Sequence, residues 1–237
     1  MNKQIQYRKL FFPILMMFIC LSSYSQRKSG YSANFQYWDG SQWVMVPAGV
    51  PGQVLKLSNS RIPTWSYTLG STGPAGGVIF YDKGDYSDGW RYLEASRADQ
   101  STEIGWSCSG TDISVKCSSA IGTGRANTTA IVNSCGQSVI AARICDDLVL
   151  NGYSDWFLPS KDELARMYLI EEEIGGFHTS PYSNLTDHSY WSSSTTCTET
   201  NSSCPNRPWS QFFDGGGFQS NSQISCPNMH VRAIRAF

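Results

Sequence analysis

A chain of 237 residues with 41% hydrophobic content is long enough for one well-packed domain with an appendage, and at 18 Lys+Arg against 19 Asp+Glu it carries almost no net charge. Residues 1–25 contain three positive charges and no negative ones, so removal of a leader there leaves 15 Lys+Arg against 19 Asp+Glu. That balance disfavours nucleic acid, heparin-like polyanions and acidic membranes as main partners, because each needs a basic footprint.

The leader is read from its own grammar. Lys3, Arg8 and Lys9 form a positive start, Leu10–Leu21 is apolar apart from Pro13, and Ser23-Tyr24-Ser25 offers small residues for cleavage before Gln26. The apolar run is short for a membrane span. Cys20 follows Met17-Phe18-Ile19, which lacks the small residue expected before a lipidated cysteine, so it falls with the leader. The expectation is a signal peptide over 1–25, export to the outside or the outer cell surface, and no membrane span after cleavage.

Residues 26–75 read as a small β-hairpin lead-in and linker. Asp39-Gly40 between Tyr37-Trp38 and Trp43-Val44 is a strong short-range hairpin signal. Val54–Leu57 and Thr64–Ser66 suggest a second hairpin around Ser58–Pro63. Such pairs cannot bury a core alone. They would dock on the main domain, join another copy of the chain, giving a homo-oligomer through the N-terminal segment, or stay loosely ordered. Gly70, Gly73 and Gly76 recur every third position, too briefly for a collagen helix, and mark a boundary.

The main domain spans 76–237. Gly77–Asp82 and Trp90–Ala95 predict strands, while 96–126 is polar and Gly/Ser-rich with Trp106 as an anchor. Asn127–Val149 predicts helix broken near Cys135-Gly136. Its second half carries an apolar stripe at Ala141, Ile144, Cys145, Leu148 and Val149, and Asn151-Gly152 reads as the stop. Trp156-Phe157-Leu158 predicts a short strand or crossing segment in the core. Ser160-Lys161-Asp162-Glu163 is a capping box, with Leu164, Met167 and Tyr168 as the buried face of the next helix. Ile174–Phe177 ends the helical part, and Ser189–Ser193, Trp209–Phe213 and His230–Phe237 predict strands joined by long polar loops. Helices first and most strands later indicate an α+β fold.

After loss of the leader seven cysteines remain, and export would oxidise most of them. Local spacing favours Cys108–Cys117 and Cys197–Cys204, with Cys135–Cys145 as a third bridge, Cys226 standing outside these pairs; connectivity stays open. The chain shows no Gly-x-Ser-x-Gly, His-Glu-x-x-His or phosphate-loop pattern. His178, His188 and His230 lack partners at ligand spacing. Asp82, Asp85 and Asp88 could hold calcium through carboxylate oxygens, but a surface turn is the commoner arrangement. The reading is therefore no catalytic set, no metal and no cofactor. Trp209, Phe213 and Phe218 border the polar loops and could stack on a sugar or a protein, although packing is the commoner role for such residues.

Gly76–Tyr81, Ile121–Gly124, Ala141–Leu164, Ile174–Phe177, Tyr190–Ser194 and Val231–Phe237 occur in an order that resembles the DUF1566 family. That family includes the C-terminal domain of a Legionella collagen-like adhesin, and the chain is also similar to the Fibrobacter major paralogous domains. The resemblance implies a C-type-lectin-like fold with two main helices, a mixed or antiparallel sheet and long loops that present ligands. It puts the binding face around Trp209–Phe213, with Trp209, Gln211, Phe213, Phe218, Asn221, Gln223, Asn228 and His230 as candidate ligand residues. Glu-Pro-Asn and Trp-Asn-Asp are absent from the sequence, so calcium-dependent sugar binding is not carried over. The expected function is a secreted or cell-surface binding module, adhesion included, for an extracellular glycan or protein. The alternatives are a structural stalk component without a small ligand, and a formylglycine-generating-type oxidase, which would need a reactive cysteine pair.

Overall fold

The computed structural model describes residues 35–58, 60–108, 117–178, 188–197, 207–213, 215–221 and 229–237. The leader, Gln223, Asn228, Cys204 and Cys226 lie outside the described residues. The chain divides into two units, one of residues 1–50 and 55–65, the other of 51–54 and 66–237. The division falls inside the second hairpin, ahead of the glycine-rich boundary read from the sequence.

In the first unit, β1 (Phe35–Trp38) and β2 (Trp43–Val46) form the expected hairpin, with Trp38 opposite Trp43. Gly40 takes φ 107°, which L residues with a Cβ rarely adopt. The Asp39 carboxylate accepts from the backbone N–H groups of Ser41 and Gln42 at 2.7 and 2.8 Å, which fixes the turn. Trp65 donates its indole N–H to the Pro47 carbonyl at 2.7 Å and meets Phe35 edge-on at 6.3 Å. The second hairpin is β3 (Gln53–Leu57) with β4 (Pro63–Tyr67).

The second unit is α+β, with four helices among the described residues and two open sheets. An antiparallel sheet runs in the order β5 (Val78–Ser87), β6 (Trp90–Ala95), β13 (Ile234–Ala236), β8 (Trp156–Phe157). A mixed sheet runs β11 (Gln219–Asn221), β10 (Pro208–Phe212), β9 (Ser189–Thr195), β12 (Met229–Val231), β7 (Ser101–Ile104). Only the β12–β9 pairing in it is parallel. The helices are α1 (Gly124–Ser134), α2 (Ala141–Asp146), α3 (Lys161–Tyr168) and α4 (Glu171–Ile174). No helix among the described residues is long and apolar enough to cross a membrane.

Local sequence grammar explains much of this. The capping box is formed in both directions: the Ser160 hydroxyl accepts from the Glu163 N–H, and the Glu163 carboxylate accepts from the Ser160 N–H at 2.6 Å. Trp156, Phe157 and Leu158 are core residues, and Trp106 is fully buried with its indole N–H on the Ser192 carbonyl.

Three expectations need correction. Helix α2 ends at Asp146, and Asn151-Gly152 is not its cap. With φ 52° and 84° these two residues form the turn that closes the Leu150–Tyr153 bridge, the primed hairpin use of an Asn-Gly pair. The predicted strand His230–Phe237 is two strands in different sheets, broken at Arg232-Ala233 where the Arg232 side chain turns into the interior. Finally, Cys108 bonds Cys135, 27 residues away, while Cys117 and Cys145 are free and buried. The local bridges Cys108–Cys117 and Cys135–Cys145 are therefore absent. Cys135 caps α1 in an extended conformation, and Cys117 is held against β9 by exchange with Thr195, whose N–H meets the Cys117 carbonyl. Cys197 is disulfide-bonded, and the Cys197–Cys204 expectation lies outside the described residues.

Candidate functional site

The candidate ligand residues fall into two groups. In β10 and β11, Trp209 lies opposite Asn221 and Gln211 opposite Gln219. Helix α3 covers this hairpin: the Lys161 ammonium sits 4.4 Å from the centre of the Trp209 ring, and the Gln219 amide donates to the Lys161 carbonyl at 3.0 Å. Between α3 and the hairpin is a cleft of about 620 Å³. Asp162, Arg166, Tyr168 and Leu169 form one wall; Gln211, Gly217, Phe218 and Gln219 form the other. Phe218 and Leu169 are exposed at its mouth.

Gln211 gives this cleft its chemical character. Its side chain is buried, and its amide nitrogen donates to the carbonyls of Gly217 (2.7 Å) and Phe212 (3.3 Å). Those two acceptors fix the amide orientation, and its Oε1 then has no donor among the described residues. A buried acceptor left unpaired costs about 1–3 kcal/mol, which makes this side chain the polar group of the cleft with the most to gain from a new donor. Gly217 is required here: at φ 62° a Cβ would stand 2.4 Å from the Tyr168 ring.

The second group is interior, which corrects the expectation for Phe213 and His230. Phe213 is fully buried, stacked on Phe177 at 4.2 Å and edge-on to Tyr190 at 4.8 Å, so it cannot meet a ligand. His230 is buried, with Nδ1 3.2 Å from Asp99 and its ring stacked on His178 at 4.5 Å. Asn221 is exposed at the far end of β11. Gln223 and Asn228 are outside the described residues.

Sequence reading missed the buried ionic groups altogether. Asp99 accepts from Arg232 Nε at 2.7 Å and from the Tyr190 hydroxyl at 2.9 Å. Burial, with the Asp99 charge beside it, pushes the Tyr190 hydroxyl up. Glu94, fully buried, accepts from the N–H groups of Ala75 and Gly77 and from Arg235, which also grips Asp155 with two hydrogen bonds. Burial also raises the Glu163 carboxyl, against the backbone donors of Ser160 and Gly122. These groups are paired and, Asp155 apart, largely shielded from water, an arrangement suited to fixing chain segments.

Asp82 takes two hydrogen bonds from Arg91, and Asp88 lies 3.7 Å from Lys83, so both are engaged within their own hairpin. Burial pushes the Cys117 thiol up to about 12 and raises Cys145 further, aided by Asp146, which makes both poor thiolates at neutral pH. Among the described residues, no three His, Cys, Asp or Glu side chains are grouped to hold a metal ion. No family model, curated protein or solved structure matches the chain.

Proposed function

We propose that this chain is an exported binding module of lectin-like build, related to the DUF1566 domains, that takes an extracellular glycan or protein group into the cleft between α3 and the β10–β11 hairpin. The observation that carries the reading is a cleft of about 620 Å³ with Tyr168 and the exposed Phe218 in its walls and the buried, unpaired Gln211 side-chain oxygen behind its lining. An apolar or ring face of the ligand would lie on Phe218 and Tyr168, and a ligand N–H or O–H would reach the Gln211 oxygen once that side chain turned toward the cleft. The lectin-like assignment is supported by the α+β order and by the position of the β10–β11 hairpin at the edge of the mixed sheet, clear of the core strands. Asp162 and Arg166 give the walls one charge of each sign, consistent with a largely neutral ligand.

The test is a glycan and host-protein array probed with the mature chain, followed by Phe218→Ala, Trp209→Ala and Gln211→Leu. A ligand of this cleft should lose at least about tenfold in affinity with Phe218→Ala, while the unfolding midpoint stays near wild type; Gln211→Leu, which also strands the Gly217 and Phe212 carbonyls, should lose affinity together with some stability. Unchanged binding in all three variants would place the site elsewhere. A second reading, assembly through the N-terminal segment, is favoured by the exposure of Phe35, Trp38, Trp43 and Leu57. Concentration-dependent light scattering with a blank array would support it instead.

A further inference from the structure

A separate cleft of about 750 Å³ lies between the outer face of α1 and the β5–β6 hairpin. Its floor is Leu93 and Phe157, both buried; Trp90 makes one wall, and the small side chains of Ala126, Ala130 and Ala236 leave it open. The Trp90 wall is fixed from three sides. The Lys83 ammonium lies 4.2 Å from its ring centre, Tyr81 packs against it at 6.2 Å, and a Cβ on Gly122 would come within 3.0 Å of it. At the mouth, Arg125 stacks on Phe157, its guanidinium carbon 5.0 Å from the ring centre. None of its five N–H donors makes a hydrogen bond among the described residues. Its single ionic neighbour, Asp155 at 3.8 Å, is already gripped by Arg235 at 2.8 and 3.0 Å. Asp88 on the opposite rim lies 3.7 Å from the Lys83 ammonium.

We infer that this cleft is a second binding site, for a small monocarboxylate with an aromatic or aliphatic body: the body lies against Trp90, Ala126 and Ala130, above the buried Phe157 and Leu93, and the carboxylate meets the Arg125 fork. A planar fork held by a ring beneath it suits a carboxylate in bidentate geometry. Arg125 is the cation that lines the cleft, and Asp88 and Asp155 are nearby, so a dianion such as a phosphate monoester is disfavoured by charge. The apolar floor supplies affinity, and Arg125 supplies the choice of end group.

The experiment titrates the mature chain with 3-phenylpropionate and with its uncharged counterpart 3-phenylpropan-1-ol, by calorimetry and amide chemical shifts at low salt. The carboxylate should bind at least about tenfold more tightly than the alcohol, with shifts centred on α1 and the β5–β6 turn. Arg125→Gln, on the solvent face of the helix, should reduce that preference to near unity and leave the alcohol unaffected. Ala130→Phe, which fills the cleft, should abolish binding of both, with far-UV circular dichroism unchanged. Equal affinity for the two probes, no saturable binding of either, or a preference that survives Arg125→Gln would each overturn the inference. The α3 cleft plays no part in this test, so loss of either proposal leaves the other standing.

Discussion

Replacing Arg232 by Met should cost more stability than any surface substitution in this chain. The side chain is fully buried and makes four hydrogen bonds: to Asp99 at 2.7 Å, to the Ser96 and Gly175 carbonyls at 3.1 Å each, and to the Gly176 carbonyl at 2.6 Å. It also covers the Phe177 ring at 4.3 Å. Met fills much of the same volume but donates nothing. Asp99 would keep only Tyr190 and His230 on one oxygen, and three carbonyls would lose their donor. Breaking one side of a buried ion pair costs about 3–5 kcal/mol, against a total stability of roughly 5–15 kcal/mol for a domain. The variant should therefore unfold at far lower urea, followed by tryptophan fluorescence with the slope of the transition unchanged. The double variant Arg232→Met/Asp99→Leu should recover part of the loss, because it removes the stranded charge. A single-variant loss below about 1 kcal/mol would mean that water reaches the pair, and the reasoning would fail.

Gly124→Ala places alanine at the start of α1, where intrinsic propensity favours it by about 1 kcal/mol over glycine. The added Cβ would stand 2.3 Å from the Glu163 carboxylate and 2.9 Å from both Phe157 and the Ser160 nitrogen, so we expect net destabilisation of about 1–3 kcal/mol by thermal melting. A rise in melting temperature would show that the two helix starts are not in contact. Asp155 supplies the pH prediction. Burial pushes its carboxyl up, but the two hydrogen bonds and charge of Arg235, with Arg125, outweigh this and hold it below the ordinary value. A depressed carboxyl stabilises the fold above its unfolded pKa, near 3.9, and loses that contribution as pH falls through the lower folded value. The stability gap between wild type and Asp155→Asn should be constant from neutral pH to about 5 and shrink below about 4. A gap that stays constant in acid would remove Asp155 as the group responsible.

What was legible in the sequence was what a few neighbouring residues decide. The capping box, the Asp39-Gly40 turn and the Trp156–Leu158 crossing each depend on spacings of two to four residues, and each is in the structure. Asn151-Gly152 was legible as a left-handed pair but not as to its use, since helix stops and primed turns need the same backbone angles. Nothing local marks Glu94, beside Leu93 in β6, as interior. It is interior because two backbone N–H groups near residue 76 and an arginine 141 positions away converge on it. The Asp99–Arg232 pair spans 133 positions, and no local pattern announces such a contact. The candidate site was half legible. Gln211 and Phe218 are at a cleft and Trp209 lies beside Lys161, but Phe213, just past β10, is set apart from them only by its packing on Phe177 and Tyr190.

Polarity of sequence and exposure diverge most sharply in β9, and that divergence separates scaffold from recognition surface. Ser189–Thr195 is buried along its whole length although six of its residues bear hydroxyls. Two of the serine hydroxyls are spent on main-chain groups: Ser192 donates to the Trp209 carbonyl at 2.9 Å, and Ser194 to the Ser118 carbonyl at 2.7 Å. Asn127 reaches Ser193 from α1 at 3.3 Å. The serine run thus works as a fixed rail that holds β10 from one side and the segment before α1 from the other. With β9 satisfied inwardly, the outer hairpin of β10 and β11 needs only one paired edge to stay in register, and its other edge and tip are free to change. Substitutions at Phe218, Gln219 and Asn221 should therefore alter what is bound at little cost in stability, whereas substitutions at Ser192 or Ser194 should disturb the fold before they touch the ligand.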